Sequence, residues 1–181
     1  ATRILPIAQD NLKSIEYILG LAQDADVIIT IGGASVGKYD LVNAATNNLG
    51  IDKSFYKVAM RPGKPLMAGK INNTPIIGLP GNPVSALVCG YVFIKPLINA
   101  MLGLERKSTP RLKAPCSTPI PKNGPREHYM RAVLLPNGCL KPTENQDSAR
   151  LALLSDASAL LIRPPHAKAI PADTLCEYIK I

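Results

Sequence analysis

The sequence is poor in aromatic residues, and this shortage excludes one class of function. It contains no Trp, and aromatic residues make up 4% of its 181 residues. Proteins that bind single-stranded nucleic acid need aromatic side chains on which the bases stack. The net charge of +8 contains no run of five or six like charges, so a basic tail is absent as well. A nucleic-acid interface therefore rests on charge alone, whereas a diffuse positive field suits an anionic small molecule.

The chain also lacks the residue spacings typical of metal sites and disulfide frameworks. It has two histidines and four cysteines, and none of the cysteines are arranged as C-x-x-C. This pattern argues against a zinc site and favours free thiols in a reducing compartment. The N-terminus has no signal-peptide pattern, and we predict a cytoplasmic protein.

Long hydrophobic runs are missing too. The longest apolar stretch, Pro83 to Ile94, stops at Lys95-Pro96 and is shorter than the roughly 18 residues that a membrane span needs. We therefore expect no membrane segment. The sequence begins at Ala1 rather than Met, with residues typical of a fold interior, so we expect a piece of a longer protein.

The first part of the chain has the alternation of an α/β domain. A content of 46% hydrophobic and 19% charged residues indicates a globular core. The apolar spacing predicts a three-layer, mostly parallel sheet whose first strand and helix are missing. The predicted elements are a lead-in at 3–8, helices at 11–23 and 40–48, a central strand at 26–31, strands at 54–60, 65–68 and 75–79, and a buried helix from 83 that kinks or breaks at Pro96.

The amino-acid composition changes after residue 104, where prolines become frequent. We predict two domains, 1–104 and 105–181, the second a small β-barrel. Pro136-Asn137-Gly138 indicates a hairpin turn. A short helix near 148–155 and closing strands at 157–162 and 174–181 complete this domain.

Three Gly-centred turns each follow a predicted strand: Gly32 to Asp40, Arg61 to Pro65, and Pro80 to Ala86. In an open α/β sheet, ligands bind beyond the carboxyl ends of the strands, where backbone amides and helix N-termini face outward. Because a cation-bearing turn lies between two Gly-rich turns, the pattern predicts a site for a phosphorylated or otherwise anionic ligand.

Each turn has two interpretations. The first turn misses the P-loop pattern because Tyr39 replaces the required Ser or Thr, so an ATPase or kinase is disfavoured. Asp40 is either the N-cap of a helix or a ligand for a metal or polar group. Arg61 and Lys64 either clamp an oxyanion or form a solvated basic turn. The turn before Ser85 is an anion site, a well-capped core helix, or both.

These residues together resemble the MoeA family, the molybdenum insertases. The family pattern is present as Gly32-Gly33-Ala34-Ser35-Val36-Gly37-Lys38-Tyr39-Asp40, Pro62-Gly63-Lys64-Pro65, and Gly78-Leu79-Pro80-Gly81-Asn82-Pro83-Val84-Ser85. The resemblance implies molybdenum cofactor biosynthesis, in which molybdate is inserted into adenylylated molybdopterin with release of AMP and with Mg²⁺ assisting. It also implies a homodimeric full-length protein and a molybdopterin adenylyltransferase as partner.

The resemblance further implies roles for single residues. Asp40 and Lys64 are the implied catalytic residues, and Asp40 is also the implied metal ligand. The implied contacts to the pterin phosphate and to oxyanions are Gly32, Gly33, Ser35, Gly37, Arg61, Gly63, Pro80, Gly81, Asn82 and Ser85. In the C-terminal part, Gln146-Asp147-Ser148 departs from the family's usual sequence.

Two alternatives remain open at this point. The first is a molybdopterin adenylyltransferase of the MogA/MoaB type, which shares the ligand-binding fold. Against it stand the form of the first Gly-rich loop and the appended β domain. The second alternative is a gephyrin-like scaffold that binds a partner peptide.

Overall fold

The computed structural model describes residues 1–32, 41–104, 107–147 and 155–181 of the chain. These residues form two compact units: Ala1–Val58 with Lys64–Gly81, and Ala59–Gly63 with Asn82–Ile181. The division into domains 1–104 and 105–181 stays a prediction. The helices are α1 (Leu12–Gly20), α2 (Leu41–Asn48), α3 (Pro83–Cys89) and α4 (Lys95–Met101), and the strands are β1 (Ile28–Ile31), β2 (Asp52–Tyr56), β3 (Met60–Arg61), β4 (Met67–Ile71), β5 (Thr74–Leu79), β6 (Leu112–Pro115), β7 (Glu127–Leu134), β8 (Leu140–Pro142), β9 (Ala159–Arg163) and β10 (Leu175–Lys180).

The first unit is built on a four-stranded sheet with the order β1-β5-β4-β2. Strands β1 and β5 are parallel, whereas β5 with β4 and β4 with β2 are antiparallel. The predicted α/β class is confirmed, but the sheet is mixed rather than mostly parallel. The reason is the turn at Asn72-Asn73, where Asn72 has a φ of 53° that Asn tolerates, so that β4 and β5 form a hairpin.

Helices α1 and α2 pack on this sheet through apolar stripes. Ile15 and Leu19 of α1 join Ile28 and Ile76 of the strands in one buried cluster. Helix α1 begins directly after Asn11, which is its N-cap: the Oδ1 atom of Asn11 accepts a hydrogen bond of 2.9 Å from the Ser14 amide. The predicted helices at 11–23 and 40–48 are thus present with small changes of their bounds, and residues 1–9 form no regular element.

Two strand predictions were wrong. Strand β1, predicted to be central, lies at the edge of the described sheet, where Ile31 is 70% exposed. The segment 54–60 is not one strand, because Lys57 has a φ of 72°, which interrupts an extended chain. As a result β2 pairs with β4 in one sheet, and β3 pairs with β7 in the other.

The helix that follows the third Gly-centred turn, Pro80 to Ala86, continues through Pro96. Helices α3 and α4 are joined by a π-helical segment, Gly90–Ile94, in which the amide of Lys95 donates to the carbonyl of Gly90, five residues earlier. A π segment widens the helix, and this accommodates a proline whose ring would otherwise clash with the preceding turn. The predicted break is therefore absent. Burial is also less than predicted, because the fully buried residues are confined to α3.

The continuous helix is longer than the apolar stretch from Pro83 to Ile94 that the sequence analysis considered. Pro83–Met101 has 19 residues, with a mean hydropathy of 1.6 in its most apolar window, and 22% of that window is buried. By length and composition alone it could cross a membrane, which the sequence had indicated it could not. Core helices of soluble proteins have the same length and composition.

The start of α3 gives a prediction about stability. The Oδ1 atom of Asn82 accepts hydrogen bonds from the Ser85 amide at 3.0 Å and from the Ser85 hydroxyl at 3.2 Å. We expect Asn82→Ala to lower the free energy of unfolding by about 1 kcal/mol, measured by urea titration. Asn82→Asp is the matched control, because Asp caps equally well. An equal loss in both variants would contradict the capping role.

The second unit is built on a sheet with the order β3-β7-β9-β10-β6, with β8 paired to β7. The predicted hairpin is present as β7 and β8 around Gly138, which has a φ of 82°. The predicted closing strands are present as β9 and β10. The predicted barrel is wrong: β6 and β8 approach each other only through a single isolated bridge, Cys116 with Leu140, so the described sheet is open. The helix predicted near 148–155 lies almost wholly outside the described residues.

Candidate functional site

The described residues include eight of the twelve predicted site residues. Gly33, Ser35, Gly37 and Asp40 lie outside them. The remaining eight are divided equally between the units: Gly32, Lys64, Pro80 and Gly81 in the first, and Arg61, Gly63, Asn82 and Ser85 in the second.

Gly32 of the first Gly-centred turn and Gly81 of the third meet in the first unit. Their strands, β1 and β5, are parallel neighbours, so their carboxyl ends lie side by side. Gly32 has a φ of 86°, and its amide donates to the carbonyl of Leu79 at 3.1 Å. A Cβ atom on Gly81 would lie 3.3 Å from the Cα atom of Gly32. Two chain turns that approach this closely need glycine, and this edge of the sheet is where α/β proteins bind ligands.

The cation-bearing turn places its two charged residues at the surface. Lys64 is exposed, while its carbonyl accepts hydrogen bonds from the amides of Val58 and Leu66, both at 3.0 Å. The backbone of Lys64 is thus fixed while its ammonium group faces solvent. Arg61 is also exposed, and the bond to Pro62 is cis. Both cations are accessible to an anion.

Gly63 has a structural reason to be glycine. It is buried with a φ of 112°, and a Cβ atom there would lie 2.6 Å from the Sγ atom of Cys89 and 3.2 Å from the Sδ atom of Met60. These distances are too short for any side chain. The packing of this glycine against α3 accounts for its position without a ligand contact.

The second unit contains a group of basic residues that the sequence analysis missed. His128, 9% exposed, is the strand partner of Arg61. Burial, together with the positive charges of Arg61, Arg126 and Arg131, lowers the pKa of His128 to about 4. An imidazole that is surrounded by cations is therefore neutral at neutral pH. Only the pairing register of β3 and β7 shows this group, and no motif in the sequence indicates it.

A second missed feature is the buried guanidinium of Arg131, which is 2% exposed. Its Nη2 atom donates to the carbonyls of Asn145 and Asp147 at 3.1 and 2.9 Å. Gln146 accepts from the Arg131 amide and donates to the Arg131 carbonyl, both at 2.9 Å. Residues 145–147 therefore hold β7 in place. The available signal was an Arg inside the otherwise apolar stretch from Tyr129 to Leu135.

The neutral His128 predicts a pH-dependent stability. Its folded pKa of about 4 lies below the unfolded value of about 6.5, so the unfolded chain binds the proton first. The contribution of the neutral His128 to the free energy of unfolding is then fully present above about pH 6.5, and it is lost as the pH falls toward 4. We expect the free energy of unfolding, measured by urea titration, to be about 2 to 3 kcal/mol lower at pH 4.5 than at pH 7 because of this residue alone. In His128→Gln this part should vanish, and an unchanged pH dependence in that variant would contradict the assignment.

The cysteines are free, as predicted. Cys89, Cys116 and Cys176 are buried, and burial raises the pKa of the Cys89 thiol to about 12. A thiol that stays protonated is neither a nucleophile nor a metal ligand. Within the described ranges, no group of three or more His, Cys, Asp or Glu could hold a metal ion.

Comparisons with known families match both halves of the chain. Residues 2–100 match the family described as a probable molybdopterin binding domain, and residues 113–181 match the MoeA C-terminal region (domain IV). The fold is similar to the crystal structure of the molybdopterin biosynthesis MoeA protein from Pyrococcus horikosii, with a TM-score of 0.78, 23% identity, and coverage of 96% of this chain and 42% of that chain.

Curated relatives agree with these matches. The chain is 39% identical over 129 residues to the molybdopterin molybdenumtransferase of Haemophilus influenzae, covering 70% of this chain and 32% of that protein. It is 32% identical over 188 aligned positions to gephyrin of Dictyostelium discoideum, covering 89% of this chain and 26% of that protein. The chain thus spans about a third of the length of the transferase. It spans a smaller share, 26%, of the length of gephyrin.

Proposed function

Because the chain belongs to the MoeA family, as its motifs predicted, we propose that it forms part of a molybdopterin molybdotransferase. The proposed enzyme inserts molybdate into adenylylated molybdopterin and releases AMP. The observation that carries the proposal is the meeting of the Gly32 and Gly81 turns at the carboxyl ends of two parallel strands. Backbone amides at such an edge bind phosphate groups, and both substrates are anions.

The described residues support distinct roles in this reaction. Gly32 lets the two turns approach each other closely, and the amides predicted at Gly33 and Gly37 receive the pterin phosphate. The exposed ammonium of Lys64 neutralises the charge that develops as AMP leaves, and Arg61 holds an oxyanion such as molybdate. Ser35, Pro80, Gly81, Asn82 and Ser85 complete the proposed contacts to the substrate, whereas the buried Gly63 serves the packing of the cation-bearing turn.

Mg²⁺ stays a prediction that rests on Asp40. No donor set for this ion is found among the residues that the structure describes, and the reaction proposed for them uses no step through it. A carboxylate at Asp40 is an oxygen ligand of the kind that Mg²⁺ prefers. The homodimer of the full-length protein, the adenylyltransferase partner and the cytoplasmic location belong to the proposal as well, the last supported by the free thiols.

The experiment that tests the proposal measures AMP release by the full-length protein from adenylylated molybdopterin and molybdate. We expect Lys64→Ala to slow this release by about 100-fold, the cost of removing one preorganised group that stabilises developing charge. Lys70→Ala, which removes another exposed lysine of the same unit, is the matched control and should be active. No AMP release from the unchanged protein would refute the proposed activity.

The two alternatives are less well supported. An adenylyltransferase does not account for the match of residues 113–181 to the MoeA C-terminal region. For a peptide-binding scaffold, the described residues offer a groove of about 630 Å³ whose lining includes Val92, Phe93 and Leu97. Polar residues of the same lining are occupied by internal bonds, because Glu127 accepts from Arg111 at 3.0 Å and from the Tyr129 hydroxyl at 2.7 Å.

A further inference from the structure

A row of basic residues crosses the sheet of the second unit at one register. Arg61 in the edge strand β3 is the partner of His128 in β7, and His128 is the partner of Arg163 in β9. Residues paired in this way project from the same face of the sheet, about 5 Å apart. Like charges at such positions destabilise a sheet, so the row is tolerated where one member stays neutral or where an anion lies beside it.

Arg126 brings a further positive charge to the same place. Its Nη1 atom lies 3.5 Å from the carbonyl oxygen of Met60, which places the guanidinium beside β3. The nearest acidic residue in sequence, Glu127, is bonded to Arg111 and Tyr129 instead. Among the described residues, the charges that act on His128 all come from arginines: Arg61, Arg126 and Arg131.

The group is open to a ligand on one side and closed on the other. Strand β3 is the edge of its sheet and Arg61 is exposed, so an anion can approach from the β3 side. Arg163 closes the inner side: it is buried, its Nη2 atom donates to the Lys168 carbonyl, and its Nε atom has no partner among the described residues. A buried cation with an unused donor raises the positive potential of the row further.

We propose that Arg61, Arg126 and His128 form a subsite for a tetrahedral oxyanion, and that anion binding draws a proton onto His128. Guanidinium groups bind such oxygens through paired hydrogen bonds. A neighbouring negative charge reverses the balance at His128, because it favours the charged imidazole that the arginines disfavour. His128 thereby becomes the residue that makes oxyanion binding depend on pH. The inference rests on the proposed function only in sharing Arg61 as an oxyanion contact.

Proton and anion binding are then reciprocal. If the anion raises the pKa of His128 by about one unit, the protonated protein must bind the anion about tenfold more tightly than the neutral one. Sulfate is a suitable probe because it remains a dianion across the titration. AMP, a phosphate monoester, shows whether a phosphate on a larger ligand fits as well as a free ion.

The test is an NMR titration of the two imidazoles of this chain in sulfate and in chloride at equal ionic strength. His128 and His166 are the two histidines of the sequence, and the exposed His166 serves as the internal reference. We expect sulfate to raise the pKa of His128 by about one unit. Arg126→Gln should remove most of this shift. Lys122→Gln, which removes an exposed charge four residues earlier, is the matched control and should retain it.

A calorimetric measurement covers the case in which the chain unfolds before the NMR titration is complete. With a His128 pKa of about 4 in the free protein and about one unit higher in the complex, sulfate should bind about threefold more tightly at pH 4.5 than at pH 7.5, and His128→Gln should abolish that difference. Equal His128 titrations in sulfate and chloride would overturn the subsite, and so would a shift that persists in Arg126→Gln. A stronger effect of AMP than of sulfate assigns the subsite to the phosphate of a larger ligand. Because these readouts do not involve cofactor synthesis, failure of the proposed enzyme activity is distinguished from failure of the subsite.

Discussion

Replacing Asp40 by Ala in the full-length protein is expected to lower the rate of molybdenum cofactor synthesis by at least about 100-fold. Asp40 directly precedes α2, which begins at Leu41, and lies nine positions after Ile31, the last residue of β1. The proposed function assigns its carboxylate to the same site as the Gly32 and Gly81 turns. Its loss removes a charge that the resemblance to the MoeA family assigns to the substrate or to Mg²⁺.

Asp40 could instead serve only to cap α2, and a second variant separates the two roles. Asp40→Asn keeps a good N-cap but removes the charge, whereas Asp40→Ala also loses about 1 kcal/mol of capping. We expect both variants to lose activity and only the Ala variant to lose stability, measured by AMP release and by urea titration. An active Asp40→Asn protein would remove the charge of Asp40 from the mechanism.

Gly63→Ala is expected to destabilise the protein by about 3 kcal/mol or more, the sum of overpacking and backbone strain. The added Cβ atom would lie 2.6 Å from the Sγ atom of Cys89, at a φ of 112° that side chains rarely adopt. Cys89 is fully buried, so its sulfur has little room to move. Gly124→Ala is the matched control, because no atom lies within 4 Å of a Cβ atom at that position.

The double variant Gly63→Ala with Cys89→Ala separates the two causes. Removing the Cys89 sulfur relieves the contact but leaves the backbone strain, so the double variant should be more stable than the sum of the two single losses predicts. Urea titration of the four proteins measures this coupling. Simple additivity would show that Gly63 and Cys89 do not interact in the folded state.

The local signals of the sequence predicted much of the fold. Asn11 and Asn82 mark helix starts because their side chains satisfy free amides, and the structure has both caps. Gly138 marks the predicted hairpin because glycine accepts a positive φ. These features depend on a few neighbouring residues, and such dependence can be read directly from a sequence.

The errors arose where distant pairing decides the outcome. The run 54–60 is uniformly suited to a strand, and nothing within it shows that β2 and β3 join different sheets. The helix after Asn82 was predicted to kink or break at Pro96. The break is absent because a π segment precedes the proline, and such a segment has no sequence signal. The group around His128 was missed for the same reason: Arg61 and His128 are 67 positions apart and become neighbours only through the register of β3 and β7.

The central claim is that the Gly-rich turns form a molybdopterin site, and one binding measurement tests it most directly. Adenylylated molybdopterin is titrated calorimetrically into the full-length protein and into its Gly81→Ala variant, in which the new Cβ atom would lie 3.3 Å from the Cα atom of Gly32. We predict one-to-one binding to the unchanged protein and binding at least about tenfold weaker to the variant, a loss of about 1.4 kcal/mol. Absence of binding to a correctly folded full-length protein, or equal affinity in the variant, would contradict the account.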